Sequence, residues 1–334
     1  MIADQIQTLK IGSLELANPL ILAPLSGISD LPFRLLAKEQ GCALVCTEMI
    51  SAEGLLHNRR ATERFLHTRP EEGPLSVQIF GSRPGSMGEA ARMIQDYGAD
   101  VLDINMGCPV RKVVHGGSGA ALLKDPERAR GIIQAVRKAT SVPLTIKIRS
   151  GWDEKSMNFL DVARMAEELG VDALILHGRT RSQGYGIKAD WEVMGRAKAE
   201  IHIPVIGNGD LNSPVAVMDF FRRTGCAGAM IGRGALGNPW IFRQALNMLQ
   251  GQPYQEASLE EREDTILRHL GMMAERRGEI HGVKEFRKHL IWYTKGLRGC
   301  TDFRSRIPFW NTASEMAGGI QGYFQNLKNP PLFS

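Results

Sequence analysis

Short hydrophobic runs recur along the chain, and a longer segment of helical periodicity follows nearly every one. The runs show little alternation between apolar and polar residues, which is typical of parallel strands buried on both faces. The eight predicted strands are 20–23, 44–47, 75–79, 101–105, 144–147, 173–177, 205–208 and 228–231. The predicted helices between and after them are 31–40, 84–97, 125–139, 157–169, 190–199, 213–224 and 239–249.

Eight strand-and-helix repeats favour an α/β fold of the (β/α)₈ TIM-barrel type over a doubly wound sheet, which rarely has so many even repeats. Residues 9–16 alternate around Gly12 and predict a short hairpin before the barrel. Residues 48–74 are polar and predict a loop excursion with a little helix.

The strand pattern stops at about residue 250. Gly251 begins a linker, and Ser258 with Glu261 forms a capping-box signal for a new helix. Only helical periodicity follows. We therefore predict a barrel domain at 1–250 and a small all-helical domain at 251–334.

Composition restricts the class of protein without naming a function. The hydrophobic fraction of 43% and charged fraction of 23% are those of a globular protein. No apolar run reaches the ~18 residues of a membrane span, and the first residues lack a secretory signal. The five cysteines form no C-x-x-C pair, which favours a reducing cytoplasm. We expect a cytoplasmic monomer with no metal and no membrane partner.

The barrel hypothesis places function at the carboxyl ends of the strands. Polar or ionisable residues occur there after nearly every predicted strand, and folding stability alone does not require that pattern. The strand-end residues are Pro24, Leu25, Glu48, Gln78, Asn105, Cys108, Lys147, Arg149, His177, Asn208, Asp210, Gly232 and Arg233.

The stretch from Asp103 to Asp125 is the most informative of these ends. Asn105 and Cys108 follow a buried strand, and three glycines between 116 and 119 predict a pliable loop that acts as an active-site lid. The alternative is a buried structural cysteine beside an ordinary turn. The Asn-x-Gly-Cys-Pro context favours function.

Glycine-rich turns follow the last two strands, at 206–210 and 231–235. Barrels commonly bind phosphate at these two ends with backbone N–H groups, and Arg233 adds a cationic fork. Tight turns that merely need glycine are the alternative, but two such turns on adjacent strands favour phosphate.

Lys147 and Arg149 face the same side of one strand. A lysine in a barrel mouth either binds an electron-rich cofactor or forms a Schiff base, unless it pairs with an acid such as Glu48 or Asp103. The Gln78 amide suits a ring edge with a carbonyl beside an N–H. His177 contacts phosphate or sugar, carries a proton, or is structural.

Excess positive charge is local. Residues 281–310 carry seven cationic and two acidic side chains, which accounts for the whole net charge of +5. On one helix over 284–298, five cations would share an arc of about 100°, opposite an apolar stripe. These cations are Lys284, Arg287, Lys288, Lys295 and Arg298. A polyanion such as RNA explains this face better than solvation does.

The strand-end motifs together resemble a known family. They are Asn105-Met-Gly-Cys-Pro109, Lys147-Ile-Arg149, His177-Gly-Arg-Thr180, Asn208-Gly-Asp210 and Gly232-Arg-Gly234. They are similar to those of the tRNA-dihydrouridine synthases, bacterial B-type, and the resemblance covers about residues 9–334. It implies an FMN-dependent enzyme that uses NADPH to reduce the 5,6 double bond of particular uridines in tRNA.

The resemblance also implies roles for individual residues. Cys108 would be the general acid, and Asn105 and Arg149 would bind the substrate. Leu25 stands where the family usually has Met. The implied cofactor-binding residues are Pro24, Leu25, Ser26, Gln78, Lys147, His177, Asn208, Gly209, Asp210, Gly232 and Arg233. Rival interpretations are another FMN barrel oxidoreductase acting on a small pyrimidine, a Schiff-base aldolase, and a non-catalytic RNA-binding protein.

Overall fold

The predicted strands form a closed parallel barrel in the computed structural model, which describes residues 8–329. Before it, β1 (Leu9–Ile11) and β2 (Leu14–Leu16) form the predicted hairpin. The barrel strands are β3 (Leu20–Leu22), β4 (Val45–Cys46), β6 (Leu75–Phe80), β7 (Val101–Met106), β8 (Leu144–Arg149), β9 (Ala173–His177), β10 (Val205–Asn208) and β11 (Gly228–Ile231). A bridge from Ile21 to Leu44 closes the barrel between β3 and β4.

The strands are buried on both faces, as their hydrophobic runs predicted. In β8, Ile146 and Ile148 pack outward with the surrounding helices, while Lys147 and Arg149 point into the barrel. The hairpin packs its leucines and Ile11 against inward residues of the strands and so covers the amino-terminal end of the barrel. Function is therefore confined to the other end.

The predicted helices are confirmed, with boundaries that differ by at most two residues. They are α1 (Leu31–Glu39), α4 (Pro84–Asp96), α6 (Pro126–Ala139), α7 (Phe159–Glu168), α8 (Glu192–Glu200), α9 (Pro214–Thr224) and α10 (Ile241–Leu249). Side-chain caps begin several of them: Asp30, Asp125 and Ser213 each accept a hydrogen bond from the third residue that follows.

The excursion after β4 is more structured than its polarity indicated. It contains β5 (Ile50–Ser51), which pairs with β6, and the short helices α2 (Ala52–His57) and α3 (Arg59–Thr62). Two single-turn 3₁₀ helices follow. The expected "little helix" is confirmed, whereas a two-residue strand offers too few residues for a periodic signal.

The pliable lid predicted after Cys108 is replaced by packed structure. The segment forms α5 (Arg111–His115) and a 3₁₀ helix (Gly119–Lys124) whose leucines are buried. A Cβ at Gly119, where φ is +61°, would lie 2.9 Å from the Cys108 carbonyl oxygen. The glycine thus allows close packing against the cysteine, because no other residue fits there.

Four helices follow the barrel: α11 (Leu259–Arg277), α12 (Glu279–Tyr293), α13 (Cys300–Arg306) and α14 (Ala313–Lys328). They share one hydrophobic cluster, and Trp240 from the end of the barrel also inserts into it. Ser258 caps α11 as predicted. No helix within residues 8–329 is long and apolar enough to cross a bilayer.

The prediction that one helix over 284–298 carries all five cations on one face is wrong beyond Tyr293. Helix α12 ends at Tyr293, and a turn containing Gly296 and Gly299, both with positive φ, precedes α13. Lys295 and Arg298 therefore lie in this turn. The apolar stripe of α12 is buried as expected. Its cationic face consists of Lys284, Arg287 and Lys288.

Candidate active site

A cavity of about 350 Å³ opens at the carboxyl ends of the barrel strands. The structure brings together there every catalytic, substrate-binding and cofactor-binding residue predicted above. These are Pro24, Leu25, Ser26, Gln78, Asn105, Cys108, Lys147, Arg149, His177, Asn208, Gly209, Asp210, Gly232 and Arg233. The convergence follows from the parallel topology, since one end of every strand points to the same rim.

Cys108 is half-buried at this cavity, and its backbone is held by the side chain of Asn105. The Asn105 Oδ1 atom accepts hydrogen bonds from the N–H groups of Cys108 at 2.9 Å and Gly107 at 3.2 Å. Burial raises the pKa of the Cys108 thiol above its usual value, which outweighs the nearby cations. The thiol is therefore protonated at neutral pH and can donate that proton.

Lys147 lies deep in the cavity, where its Nζ atom donates to Asn208 Oδ1 at 3.0 Å. Its predicted alternative, an ion pair with Glu48 or Asp103, does not occur: within residues 8–329 no ion pair involves Lys147. Burial, then the charge of Arg149, lowers the pKa of this ammonium group. An anionic or electron-rich ligand would restore the lost solvation.

Arg149 lies two residues after Lys147 on β8 and links two loops at the mouth of the cavity. Its guanidinium donates to the carbonyl oxygens of Gly107 and Thr180, each at 2.8 Å. His177 also lines the cavity, and its buried Nδ1 atom has no hydrogen-bond partner among the described residues. Burial and the charge of Lys147 keep the pKa of His177 well below its usual value. The ring is neutral and has an unused polar atom.

Asp210, which follows β10, holds two arginines from the neighbouring strand ends: Arg179 after β9 and Arg233 after β11. Its carboxylate accepts two hydrogen bonds from Arg179, at 2.8 and 2.7 Å, and one from Arg233 at 3.1 Å. The backbone N–H of Ala189 completes the set at 2.7 Å. Asp210 therefore fixes Arg233 at the rim, so its contribution to anion binding acts through that arginine.

The cavity is also lined by residues that sequence reasoning did not assign to the site, among them Met49, Val110 and Tyr185. The Tyr185 side chain is 60% exposed, and the guanidinium carbon of Arg233 lies 4.1 Å from its ring centroid. Tyr185 follows β9 in a long segment without periodicity, so its position depends on tertiary contacts alone. Residues 8–329 contain no His, Cys, Asp and Glu cluster suited to a metal ion.

Comparisons with known proteins agree with this site. The chain is 36% identical over 323 residues to a probable tRNA-dihydrouridine synthase of Rickettsia bellii, with 96% of this chain and 99% of the relative aligned. It is 40% identical over 329 residues to tRNA-dihydrouridine synthase B of Xanthomonas campestris, with 97% and 99% aligned.

A solved 2-naphthoyl-CoA reductase complex has the same fold, with a TM-score of 0.56, 14% identity, and 76% of this chain and 53% of that chain aligned. The dihydrouridine synthase (Dus) family model matches residues 21–326, a span that includes the whole cavity and most of the helical region. The cavity with its Asn-x-Gly-Cys-Pro thiol thus lies in a chain that belongs to the dihydrouridine synthase family.

Proposed function

We propose that this chain is an FMN-dependent tRNA-dihydrouridine synthase that reduces the 5,6 double bond of particular uridines in tRNA, with NADPH as the reductant. The observation that carries the proposal is that the thiol of Cys108, the ammonium group of Lys147 and the glycine-flanked Arg233 meet in one cavity. Family membership supports the same reaction. We also propose that the enzyme acts in the cytoplasm as a monomer.

The cavity fits FMN by the chemistry of its lining. Lys147, Arg149 and Arg233 supply three cations, and His177 offers a buried ring nitrogen without a partner. Gln78 and Lys147 would hold the ring, with His177 near it. Asn208, Gly209, Gly232 and Arg233, with Asp210 behind them, would hold the phosphate end, and Pro24, Leu25 and Ser26 would flank the cofactor. When bound and reduced, FMN supplies a hydride for uracil C6.

Cys108 would complete the reduction as general acid. A hydride at C6 leaves C5 in need of a proton, and a protonated thiol held at the rim can give it. The raised pKa of Cys108 keeps the proton in place until the substrate arrives. Asn105 and Arg149 would orient the uracil. A uracil in folded tRNA reaches this cavity only after it leaves its base stack.

The functional test uses an unmodified tRNA transcript, NADPH and the purified chain. We expect mass spectrometry to find dihydrouridine in the tRNA and no reduction of free uridine or orotate. If a free pyrimidine is reduced and the tRNA is not, the chain is instead a small-molecule oxidoreductase. Binding of tRNA without any reduction would identify an RNA-binding protein.

We expect the purified chain to be yellow and to release one FMN per chain on denaturation. Arg233→Ala should weaken FMN binding about 10–100-fold, because a hydrogen bond to a charged group contributes about 1.5–3 kcal/mol. Arg130→Ala, on the barrel exterior, is the matched control, since the polar partner of Arg130 in the described part of the chain is Glu168, far from the cavity. Release of FAD, or equal loss in both variants, would contradict this assignment.

We also propose that residues 1–250 form the FMN-binding catalytic domain and 251–334 a tRNA-binding domain. The proposed RNA contacts are Lys284, Arg287, Lys288, Lys295 and Arg298. Of these, Arg287, Lys288 and Arg298 already donate to backbone carbonyls. Lys284 and Lys295 are exposed and make no such bond within the described chain, so they are free for phosphates.

The double variant Lys284→Ala/Lys295→Ala should bind tRNA more weakly. If each lysine contacts one phosphate, the slope of log K against log salt should fall by about 1.4–1.8. The matched control is Lys10→Ala/Lys138→Ala, because both lysines are exposed at the opposite end of the barrel. The measurement is a salt titration of tRNA binding. Equal slopes of log K against log salt for the two double variants would show that Lys284 and Lys295 do not contact RNA phosphates.

A further inference from the structure

A buried carboxylate, Asp103, lies below the floor of the active-site cavity without lining it. The Asp103 side chain is only 1% exposed and sits in the middle of β7. In the strand register, Asp103 pairs with Gln78 of β6 on one side and Thr145 of β8 on the other. All three side chains point into the barrel interior, where aliphatic side chains are usual.

Both oxygens of Asp103 accept short hydrogen bonds from side chains of the two neighbouring strands. Oδ1 accepts from the Thr145 hydroxyl, and Oδ2 accepts from Gln78 Nε2, each at 2.6 Å. An ionised carboxylate can only accept hydrogen bonds. It therefore forces the Gln78 amide to turn its NH₂ group toward Asp103 and its carbonyl oxygen away.

The orientation of Gln78 then determines that of Asn105. Gln78 Oε1 accepts from Asn105 Nδ2 at 2.7 Å. With its NH₂ group engaged there, Asn105 must present its own carbonyl oxygen to the turn that follows β7. This oxygen is the acceptor for the N–H groups of Gly107 and Cys108.

We propose that Asp103 is a positioning residue that acts through Gln78 and Asn105 to hold the turn bearing Cys108. Each amide in the relay has two possible orientations, and the acceptor-only end at Asp103 selects one of them for both. Reversal would place an NH₂ group against two backbone N–H donors, and the cysteine turn would lose its acceptor. The catalytic part of this inference rests on the proposed role of Cys108, whereas the relay itself does not.

Two substitutions of Asp103 distinguish the proposed positioning role from a purely structural role of this buried carboxylate. In Asp103→Asn, the side-chain oxygen can still accept from Gln78 while its NH₂ group donates to the Thr145 hydroxyl, which accepts as well as donates. In Asp103→Leu, a side chain of similar size offers Gln78 no acceptor. The relay therefore predicts that Asn preserves the turn and Leu releases it.

The primary measurement is alkylation of Cys108 by iodoacetamide, which requires no turnover. It is made in a Cys300→Ser background, because Cys300 is the other cysteine that is not buried. We expect Asp103→Leu to be alkylated about tenfold faster, equivalent to about 1.4 kcal/mol of lost hydrogen bonding. Asp103→Asn should match the parent. The kcat for tRNA should fall about 10²-fold in Asp103→Leu, as misplacement of one reacting group predicts.

Asp172→Leu is the matched control for destabilisation. Asp172 accepts from Arg137 and from the Leu144 N–H at the opposite end of the barrel. It should lower Tm and leave the alkylation rate of Cys108 unchanged. If Asp103→Leu does not fold, Asp103→Ser replaces it with Asp172→Ser as its control, because the serine hydroxyl is too short to reach Gln78.

Equal alkylation rates in the folded Asp103→Leu variant and its parent would overturn the relay. So would an Asp103→Asn variant that behaves like Asp103→Leu, because the charge rather than the acceptor would then be decisive. Faster alkylation without loss of tRNA reduction supports the relay and contradicts the role of Cys108 as proton donor, so the two failures are distinguishable.

Discussion

Cys108→Ala should reduce tRNA about 10²–10⁴-fold more slowly than the parent, the range expected when a general acid is removed. The thiol lies at the cavity rim, and burial raises its pKa. FMN content and NADPH oxidation in the absence of tRNA should remain at the parent level, because the proposed role of Cys108 is to give a proton to the uracil and not to bind the flavin.

Single-turnover reduction of a tRNA transcript measures this loss directly. Cys300→Ser is the matched control, because Cys300 is the other partly exposed thiol and lies in the helical region. Normal turnover by Cys108→Ala, or an equal loss in both variants, would remove the thiol from the proposed mechanism.

Acidification from pH 7 to pH 5 should destabilise the helical region through two buried histidines, by about 2 kcal/mol for His269 alone. His269 and His289 are fully buried, with ring centroids 4.5 Å apart. Burial lowers the pKa of His269 to about 3 and that of His289 well below its usual value. The unfolded chain therefore binds protons below pH 6.5 that the folded chain does not, so stability falls as pH falls.

His289→Leu isolates this effect, because neither ring nitrogen of His289 has a partner within the described structure. Between pH 7 and pH 5, the free energy of unfolding of this variant should fall by less than that of the parent. His281→Leu, at an exposed position of the same helix, should retain the parent's pH dependence. Urea unfolding at the two pH values provides the comparison, and identical pH dependence in all three proteins would contradict it.

The hydrophobic pattern was sufficient to predict the barrel, because each strand that is buried on both faces appears in the sequence as a short continuous hydrophobic run. The strand-end position of Cys108 or Lys147 follows from that topology. The end of the helix at Tyr293 was not predicted, although glycines such as Gly296 and Gly299 commonly terminate helices. The prediction assumed one continuous helix because the cations over 284–298 fall on one side of a helical projection. The lid prediction treated the glycines after Cys108 as flexible, whereas Gly119 permits close packing.

Side-chain networks were beyond sequence reasoning for a different reason. The bonds from Thr145 through Asp103 to Gln78 depend on the register of three strands that are distant in sequence. A one-residue slip would send each side chain to the other face. The contact between Tyr185 and Arg233 likewise requires two loops whose conformations carry no periodic signal.

The ammonium group of Lys288 on α12 donates to the carbonyl oxygen of Gly27, while the Gly27 N–H donates to Glu48. Gly27 directly follows Pro24, Leu25 and Ser26, the proposed flavin-flanking residues. If Lys288 makes the proposed RNA contact, a phosphate would share its ammonium group with the Gly27 carbonyl oxygen, and the proposed RNA and flavin sites would be linked through one loop. Thermodynamic reciprocity then requires that tRNA change FMN affinity by the same factor as FMN changes tRNA affinity. Retention of the flavin becomes a property of the complex as well as of the cavity.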